Sequence, residues 1–201
     1  SLEKYILNKK LLKIVVKNNN LRYPVPKNIS KKLSNLKVLE IKRISKYVLL
    51  KFQDELFLLF HLGMSGTLHL IRSKKNLQNT NLSFYYVKNL PKKHNHLFFN
   101  FKNFSIIFND PRRFGFIKLI KGDSNLNNYF KKLGPDPFEI DFNFNYVKKY
   151  LFKKKKNIKN TLIDQKFISG IGNIYASEIL NYSKINPFKF SSEIKNNEII
   201  K

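Results

Sequence analysis

Cysteine is absent from this chain of 201 residues, and acidic residues are scarce. Without cysteine, these residues form neither disulfides nor cysteine-based zinc sites, which fits a reducing compartment. The sequence also lacks a long uninterrupted apolar run and a clear basic amphipathic anchor, so a membrane is disfavoured as the partner. No signal peptide is recognisable, and we expect a cytoplasmic location.

The charge balance narrows the choice of partner. Lysine and arginine number 39 against 13 aspartates and glutamates, which gives a formal net charge of +26 and a pI of about 10.1. Such a chain repels itself and attracts polyanions, so nucleic acid is the leading partner. Apolar residues make up 42% of the chain, enough for the core of one large domain or of two small ones.

The hydrophobic pattern changes once along the chain. After a short helix near Leu2–Leu7, residues 1–120 contain short apolar runs between turn residues, typical of a β-sandwich or barrel. From about Phe142 the apolar spacing is helical. The sequence predicts an α+β protein with a β-sandwich over 1–120, a linker over 121–140 and a helical domain over 141–201. The predicted strands are Leu11–Val16, Val38–Arg43, Tyr47–Phe52, Leu56–Leu62, Thr67–Ile71, Phe84–Val87, Leu97–Phe101, Phe104–Phe108 and Phe116–Ile120.

A glycine-containing turn at Ser169–Asn173 lies between two stretches of helical spacing, the second reaching about Ile185. Asn173 can cap the second helix, and the exposed amides at a helix start can seat a phosphate. The lysines at 153–156 and Lys159 precede this turn and would reinforce it as a clamp on a nucleic-acid backbone. The alternatives are an ordinary helical hairpin and a solvated lysine face.

Two loops between predicted strands contain further candidates. In Phe60–Gly66, Met64 either points outward at a tip or fills the core, and His61 is either a plain strand residue or a phosphate donor. In Asn109–Gly115, two arginines and Phe114 can read phosphates or base edges and enter a base stack. The alternative there is an arginine paired with Asp110 and a phenylalanine in the core.

Three isolated residues are weaker candidates. Lys46, at the start of a strand, either lines a cleft or is one surface lysine among many. His94 and His96 have a spacing that suits metal ligation, but a third ligand is missing nearby. We therefore favour contact with nucleic acid for both histidines.

Four of these stretches together resemble bacterial formamidopyrimidine-DNA glycosylase, in the order and with the approximate spacing of that family. The resemblance covers nearly the whole chain and implies a β-sandwich and a helical domain with a helix–two-turn–helix motif. It implies binding of damaged double-stranded DNA between the domains, excision of oxidised purines such as 8-oxoguanine and formamidopyrimidines, and cleavage of the abasic site by β-elimination. The four stretches are His61–Gly66, Asp110–Gly115, Leu133–Pro137 and Gly170–Glu178.

The resemblance also implies roles for individual residues. Lys46 matches the proton donor of β-elimination, and His61 and Asn173 match phosphate-contacting residues.

Met64, Arg112 and Phe114 match the group that fills the gap left by an extruded nucleotide, in which Arg112 would face the orphaned cytosine and Phe114 would wedge the stack. His94 and Lys155 match further DNA contacts, and Lys159 lies at another family lysine.

The sequence departs from the family at both ends. The family's nucleophile is an N-terminal proline followed by glutamate, whereas Ser1–Glu3 aligns beyond that segment, and the chain ends in a predicted helix over Glu193–Lys201. We expect a fragment without cofactor, with zinc only in a missing C-terminal region, from a monomeric bacterial protein associated with the nucleoid. The alternatives are a decayed protein that only binds DNA and a basic RNA-binding module.

Overall fold

The structure is a computed structural model that describes residues 2–72, 77–78 and 92–200. It divides into two compact units, Ser1–Asn127 and Asn128–Lys201. The boundary falls within helix α3, Asp123–Phe130, which occupies part of the interval that the sequence predicts as a linker. Within the described ranges, no helix has both the length and the apolar character needed to cross a membrane.

Two antiparallel sheets form the first unit. One has the strand order β1-β7-β8-β5-β6 and the other β2-β3-β4-β9. The Phe60 ring on β4 lies 5.2 Å from that of Phe99 on β7 and 6.4 Å from that of Phe108 on β8, so the sheets pack face to face as predicted. The strands are β1 Lys13–Val16, β2 Val38–Ile44, β3 Tyr47–Phe52, β4 Leu56–His61, β5 Thr67–Arg72, β6 Leu77–Gln78, β7 Asn95–Asn100, β8 Phe104–Asn109 and β9 Phe116–Lys121.

These bounds follow the apolar runs of the sequence closely. Every predicted strand on described residues appears within about two residues of its predicted ends, because each run is bounded by turn residues. The predicted strand Phe84–Val87 lies outside the described residues. Two short helices complete the unit, α1 Glu3–Ile6 and α2 Ile29–Leu33, and the second has too few residues for its period to be seen in the sequence.

The second unit is helical, with α4 Phe144–Leu151, α5 Ile158–Leu162, α6 Asn173–Tyr182 and α7 Asn196–Ile199. Asparagine side chains cap the N-termini of two of these helices. Asn143 accepts from the Tyr146 amide at 3.0 Å and Asn157 from the Asn160 amide at 2.9 Å. Phe167 is buried at the centre of the core of this unit. The predicted C-terminal helix is shorter than expected, since α7 has four residues.

Candidate nucleic-acid interface

Sheet pairing brings two loops of the first unit together. The loop after β4 covers residues 62–66, and the loop after β8 covers residues 110–115; we refer to them as the tip loops. Strand β4 ends beside the start of β9, and β8 ends beside the start of β5, because both pairs are antiparallel. All four strand ends therefore meet at the edge from which the tip loops project.

The buried carboxylate of Asp110 ties the tip loops to each other. It accepts a hydrogen bond from the Ser65 hydroxyl at 2.5 Å and another from the Gly115 amide at 2.7 Å. The Ser65 oxygen in turn accepts from the Arg112 amide at 3.2 Å. The carboxylate is thus engaged by a hydroxyl and an amide, which is different from the arginine pairing considered as an alternative.

Backbone also meets backbone between the tip loops. Gly63 has φ +63°, and a Cβ atom there would lie 2.7 Å from both the Gly115 nitrogen and the Phe114 carbonyl carbon. Contacts this short are not found for real side chains, so glycine is required for the close approach. The tip loops therefore form one rigid support for the side chains that they display.

Three of those side chains form an exposed group, Met64, Arg112 and Phe114, which we call the wedge cluster. The Arg112 guanidinium lies 4.5 Å from the centre of the Phe114 ring, and its Nη1 donates to the Met64 sulfur at 3.6 Å. Met64 is 63% exposed and Phe114 44% exposed, so neither fills the core. The cluster offers an apolar surface and a planar cation at a single projecting point.

His61, the last residue of β4, packs against two aromatic rings. Its ring stacks on Phe116 at 5.1 Å and meets the edge of Tyr47 at 5.1 Å. Burial, followed by the charges of Arg22 and Lys46, lowers the pKa of His61 below its usual 6.5. The Gly63 amide donates to Nδ1 at 3.1 Å, so the neutral ring carries its proton on Nε2, as a phosphate donor requires.

Lys46 lies next to His61 because of strand pairing. It precedes β3, whose first residue, Tyr47, is opposite His61. Although the residue as a whole is exposed, desolvation of its amine lowers the pKa of Lys46. The amine can therefore lose its proton more readily than an ordinary lysine, which suits a group that donates and recovers protons.

The two remaining histidine candidates have different environments. His94 is half-buried, and its carbonyl accepts from the Asp110 amide at 3.0 Å, beside a tip loop. His96 is buried, and its Nε2 lies 2.7 Å from the Asp110 carbonyl oxygen. Our expectation that His96 contacts nucleic acid is therefore wrong, because its side chain is buried where the pairing of β7 with β8 is irregular, between Asn95 and Leu97.

Metal ligation finds little support in these residues. In the part of the chain that the structure describes, no three side chains of the ligating types are grouped. None of the 201 residues is cysteine, so these residues form no cysteine-based zinc site. The expectation that this chain works without a cofactor stays a prediction.

In the second unit, Gln165 shapes the turn before α6. Its amide nitrogen donates to the Ile163 and Ile171 carbonyls at 2.9 and 2.7 Å, and its oxygen accepts from the Gly170 amide at 3.0 Å. Gly170 has φ +88°, which explains the glycine. Asn173 is exposed and is the first residue of α6, whose N-cap is Gly172. The prediction that Asn173 caps this helix is therefore wrong.

Residues 133–137 form backbone hydrogen bonds with the same turn. The Gly134 amide donates to the Gln165 carbonyl at 2.8 Å, and Pro135 accepts from the Ser169 amide at 2.9 Å. A Cβ atom on Gly134 would lie 2.3 Å from the Phe167 carbonyl oxygen. Leu133–Pro137 is one of the four stretches of the family resemblance, and its contact with the glycine turn depends on tertiary packing.

The lysine run at 153–156 lies between α4 and α5, and most of its members have local partners. Lys153 and Lys154 lie 5.2 and 4.6 Å from the ring centres of Phe152 and Tyr150, and Lys156 lies 3.6 Å from Asp164. Lys155 is exposed. Lys159, on α5, lines an open groove of about 470 Å³ together with Ser177 and Lys184.

Functional candidates therefore occur in both units. The first unit brings Lys46 beside His61 and assembles the wedge cluster, with His94 nearby. The second contains Asn173, Lys155 and Lys159 around α5 and the start of α6. Sequence reasoning missed Arg22, Ser65 and Gln165, whose importance comes from hydrogen bonds or charges that only the fold brings into range.

Comparison with known proteins agrees with this organisation. Residues 1–117 match the family model of the formamidopyrimidine-DNA glycosylase N-terminal domain, and residues 133–201 match that of its H2TH domain. The formamidopyrimidine-DNA glycosylase of Wolbachia pipientis strain wPip is 38% identical over 190 residues, which are 94% of this chain and 65% of the relative. That of Rickettsia bellii strain OSU 85-389 is 36% identical over 200 residues, 99% of this chain and 68% of the relative.

A solved structure has the same fold. In the complex of Lactococcus lactis Fpg with abasic-site DNA, the protein aligns with a TM-score of 0.84 and 29% identity. The alignment covers 99% of this chain and 69% of that one. Two family models that together account for most of the sequence, and relatives similar along nearly all of it, place the chain in the formamidopyrimidine-DNA glycosylase family.

Proposed function

We propose that this chain is the duplex-binding part of a DNA glycosylase with abasic-site lyase activity. The intact protein would remove oxidised purines, chiefly 8-oxoguanine and formamidopyrimidines, and cleave the abasic site by β-elimination. The observation that carries the proposal is the wedge cluster, in which an exposed arginine stacks on an exposed phenylalanine beside an exposed methionine.

The wedge cluster matches the needs of base excision. A base inside a duplex is inaccessible to an enzyme, so its nucleotide must leave the stack at a cost of about a few kcal/mol. An apolar ring inserted between bases offsets part of this cost, and a guanidinium can bond the base left without its partner. We assign Phe114 and Met64 to the first task and Arg112 to the second.

The backbone beside the opened base pair must be held as well. His61 offers an Nε2 donor, and Lys46 provides a positive charge beside it and an amine with a lowered pKa. We assign His61 to phosphate binding and Lys46 to proton transfer in β-elimination. We assign Asn173, His94, Lys155 and Lys159 to further backbone contacts, which fits the exposed start of α6 and the lysines near it.

The substrate class also rests on relatives. Structures of Lactococcus lactis Fpg contain abasic-site DNA and, in other cases, Fapy-dG DNA. This chain spans 65% of the length of the Wolbachia pipientis strain wPip relative, so the activity of the whole protein is inferred from relatives. We further propose a monomer in the bacterial cytoplasm, associated with the nucleoid and not with membranes, whose residues 1–201 bind DNA without a cofactor.

Borohydride trapping tests the proposal. An amine nucleophile that attacks the anomeric carbon displaces the damaged base and, as the C1′–O4′ bond of the sugar breaks, forms a Schiff base, which borohydride reduces to a stable protein–DNA adduct. The intact protein should form this adduct on a duplex with 8-oxoguanine opposite cytosine, and should leave the same duplex with guanine unmodified. Binding of the damaged duplex without any adduct would overturn the enzyme assignment and leave a DNA-binding protein. Tighter binding to structured RNA than to either duplex would overturn both.

A further inference from the structure

We infer that Arg22 is a further substrate-binding residue, whose guanidinium contacts a phosphate of the DNA backbone next to His61 and Lys46. The inference rests on the proposed function, because the phosphate would belong to the bound duplex. Nothing in the sequence distinguishes Arg22 from the other basic residues of this chain. Its position in the fold is what distinguishes it.

The backbone of Arg22 and the side chain of the next residue, Tyr23, both fix the position of Arg22 near His61. Its amide donates to the Gly115 carbonyl at 3.2 Å, which fixes it to the end of a tip loop. The next residue, Tyr23, sets its ring edge-on to Phe116 at 5.0 Å, and Phe116 stacks on His61. The Arg22 guanidinium lies 5.7 Å from the centre of the Tyr23 ring. A row of rings thus connects Arg22 to His61.

The charges around His61 point to an anion. Arg22 and Lys46 each lower the pKa of His61 through their positive charge, so both lie close enough for their fields to reach the imidazole. Arg22 is exposed, and within the described part of the chain neither its side chain nor that of Lys46 forms an ion pair. Two cations and a neutral N–H donor are therefore near one another, without an ion-pair partner for either cation among the described residues.

A phosphodiester fits this arrangement. It carries a single negative charge on two oxygens, which a planar guanidinium can bind in bidentate fashion. The His61 Nε2–H and the Lys46 amine supply additional donors for the same or the adjacent group. A carboxylate ligand would also be attracted, but the wedge cluster next to the site favours a partner with bases to unstack.

The structure provides a matched control in Arg72. Its guanidinium also lies 5.7 Å from a ring centre, that of Tyr5, so Arg72→Gln removes the same charge and the same kind of ring contact. Arg72 ends β5, about 17 Å along the strand from Thr67, where β5 leaves the tip loop. A phosphate contact at Arg22 should therefore be lost only with Arg22→Gln.

Salt-dependent binding to a labelled duplex with an abasic-site analogue, measured by fluorescence anisotropy on the intact protein, tests the inference. Arg22→Gln should weaken binding about tenfold near 0.1 M salt and reduce the slope of log K against log salt by about one. Arg22→Lys should keep the slope, and Arg72→Gln should remain within about twofold of wild type. A wild-type slope in Arg22→Gln, or the same loss in Arg72→Gln, would overturn the inference.

Two further results distinguish a phosphate contact at Arg22 from the proposed function as a whole and from a purely structural role of Arg22. If wild type prefers the abasic duplex no more than an undamaged one, the proposed function fails, while a reduced slope in Arg22→Gln still supports the phosphate contact. If Arg22→Gln unfolds at lower urea than Arg72→Gln while keeping the wild-type slope, the role of Arg22 is structural and the inference fails. Competition by inorganic phosphate at equal ionic strength should weaken wild type more than Arg22→Gln.

Discussion

The Ser65 hydroxyl donates to the carboxylate of Asp110 across 45 positions of sequence, with an oxygen–oxygen distance of 2.5 Å. This bond joins the loop that displays Met64 to the loop that displays Arg112 and Phe114. A buried carboxylate needs several donors to offset its lost hydration, and Asp110 receives donors from both tip loops. The relative position of the wedge side chains therefore depends on one buried anion.

Replacing Asp110 by asparagine should destabilise the first unit by about 2 kcal/mol. The asparagine oxygen can accept from only one of the two donors, and its NH2 group would face the other. Urea unfolding of Asp110→Asn measures the loss. Asp54→Asn is the control, because Asp54 is exposed and has φ +57°, which asparagine tolerates. Equal stability of the two variants would show that Asp110 contributes nothing beyond its charge.

Gly63→Ala should cost more than its backbone angle alone. The positive φ by itself costs about 1 kcal/mol for alanine, and the new Cβ would also push the Phe114–Gly115 backbone away. Gly122→Ala has a similar angle, φ +85°, but its Cβ would meet nothing closer than 3.9 Å. We expect affinity for abasic-site duplex to fall in Gly63→Ala and to remain unchanged in Gly122→Ala. A matching fall in both would exclude the loop contact as the cause.

Phe114→Ala should weaken binding to an abasic-site duplex about tenfold and leave binding to an undamaged duplex unchanged. The ring offsets unstacking only where a base is missing or extruded. Leu39→Ala is a suitable control, since Leu39 is 43% exposed on β2 and Phe114 is 44% exposed. Anisotropy titrations of both variants on both duplexes measure the effect. Equal losses on the two duplexes would indicate a general contact and not a wedge.

His61 should make the protein less stable in weak acid. Its folded pKa lies below the usual 6.5, first through burial and then through Arg22 and Lys46. The unfolded chain therefore binds more protons in this range, and the free energy of unfolding should decrease as the pH falls from about 6.5 towards the folded pKa. His61→Gln should lose less stability between pH 7.5 and pH 5, roughly, as measured by urea unfolding. NMR titration of His61 at or above 6.5 would contradict this expectation.

Gln165→Glu should disrupt the turn before α6. The change replaces an NH2 group that donates to two carbonyls by an oxygen that repels them, at a cost of about 2 kcal/mol. Gln53→Glu is the matched control, because the hydrogen bond of the Gln53 side chain within the described residues uses its oxygen, which accepts from the Lys37 amide at 3.0 Å. Thermal unfolding and duplex affinity should both decrease in Gln165→Glu alone. A stable Gln165→Glu that binds normally would remove Gln165 from the support of the turn.

The sequence predicts the elements of this fold better than their contacts. Strands such as β3 and β9 are visible because apolar runs and turn residues are local properties. The outward position of Met64 could be predicted only as one of two alternatives, since a lone methionine more often fills a core. Its exposure is set by the support of the tip loops, which depends on strand pairing.

Two misjudged residues, Asn173 and His96, and one missed residue, Gln165, show the physical limit of prediction from sequence. Asn173 has the right chemistry for a cap, yet the helix already begins at Asn173, and Gly172 is its N-cap residue. His96 is polar and follows a lysine-rich stretch, yet an irregularity in the pairing of β7 with β8 accompanies its burial against the Asp110 carbonyl oxygen. Gln165 gives no local signal, because its partners are backbone carbonyls whose positions depend on the folded turn.

The bond from the Gly63 amide to Nδ1 of His61 also decides which ligands the ring can accept. With Nδ1 occupied and the proton on Nε2, a neutral imidazole has no lone pair left for a transition metal or an ammonium group. A backbone amide therefore makes this histidine selective for oxygen acceptors. The conformation of the turn at Gly63, which places that amide at Nδ1, is what prevents the ring from binding cations.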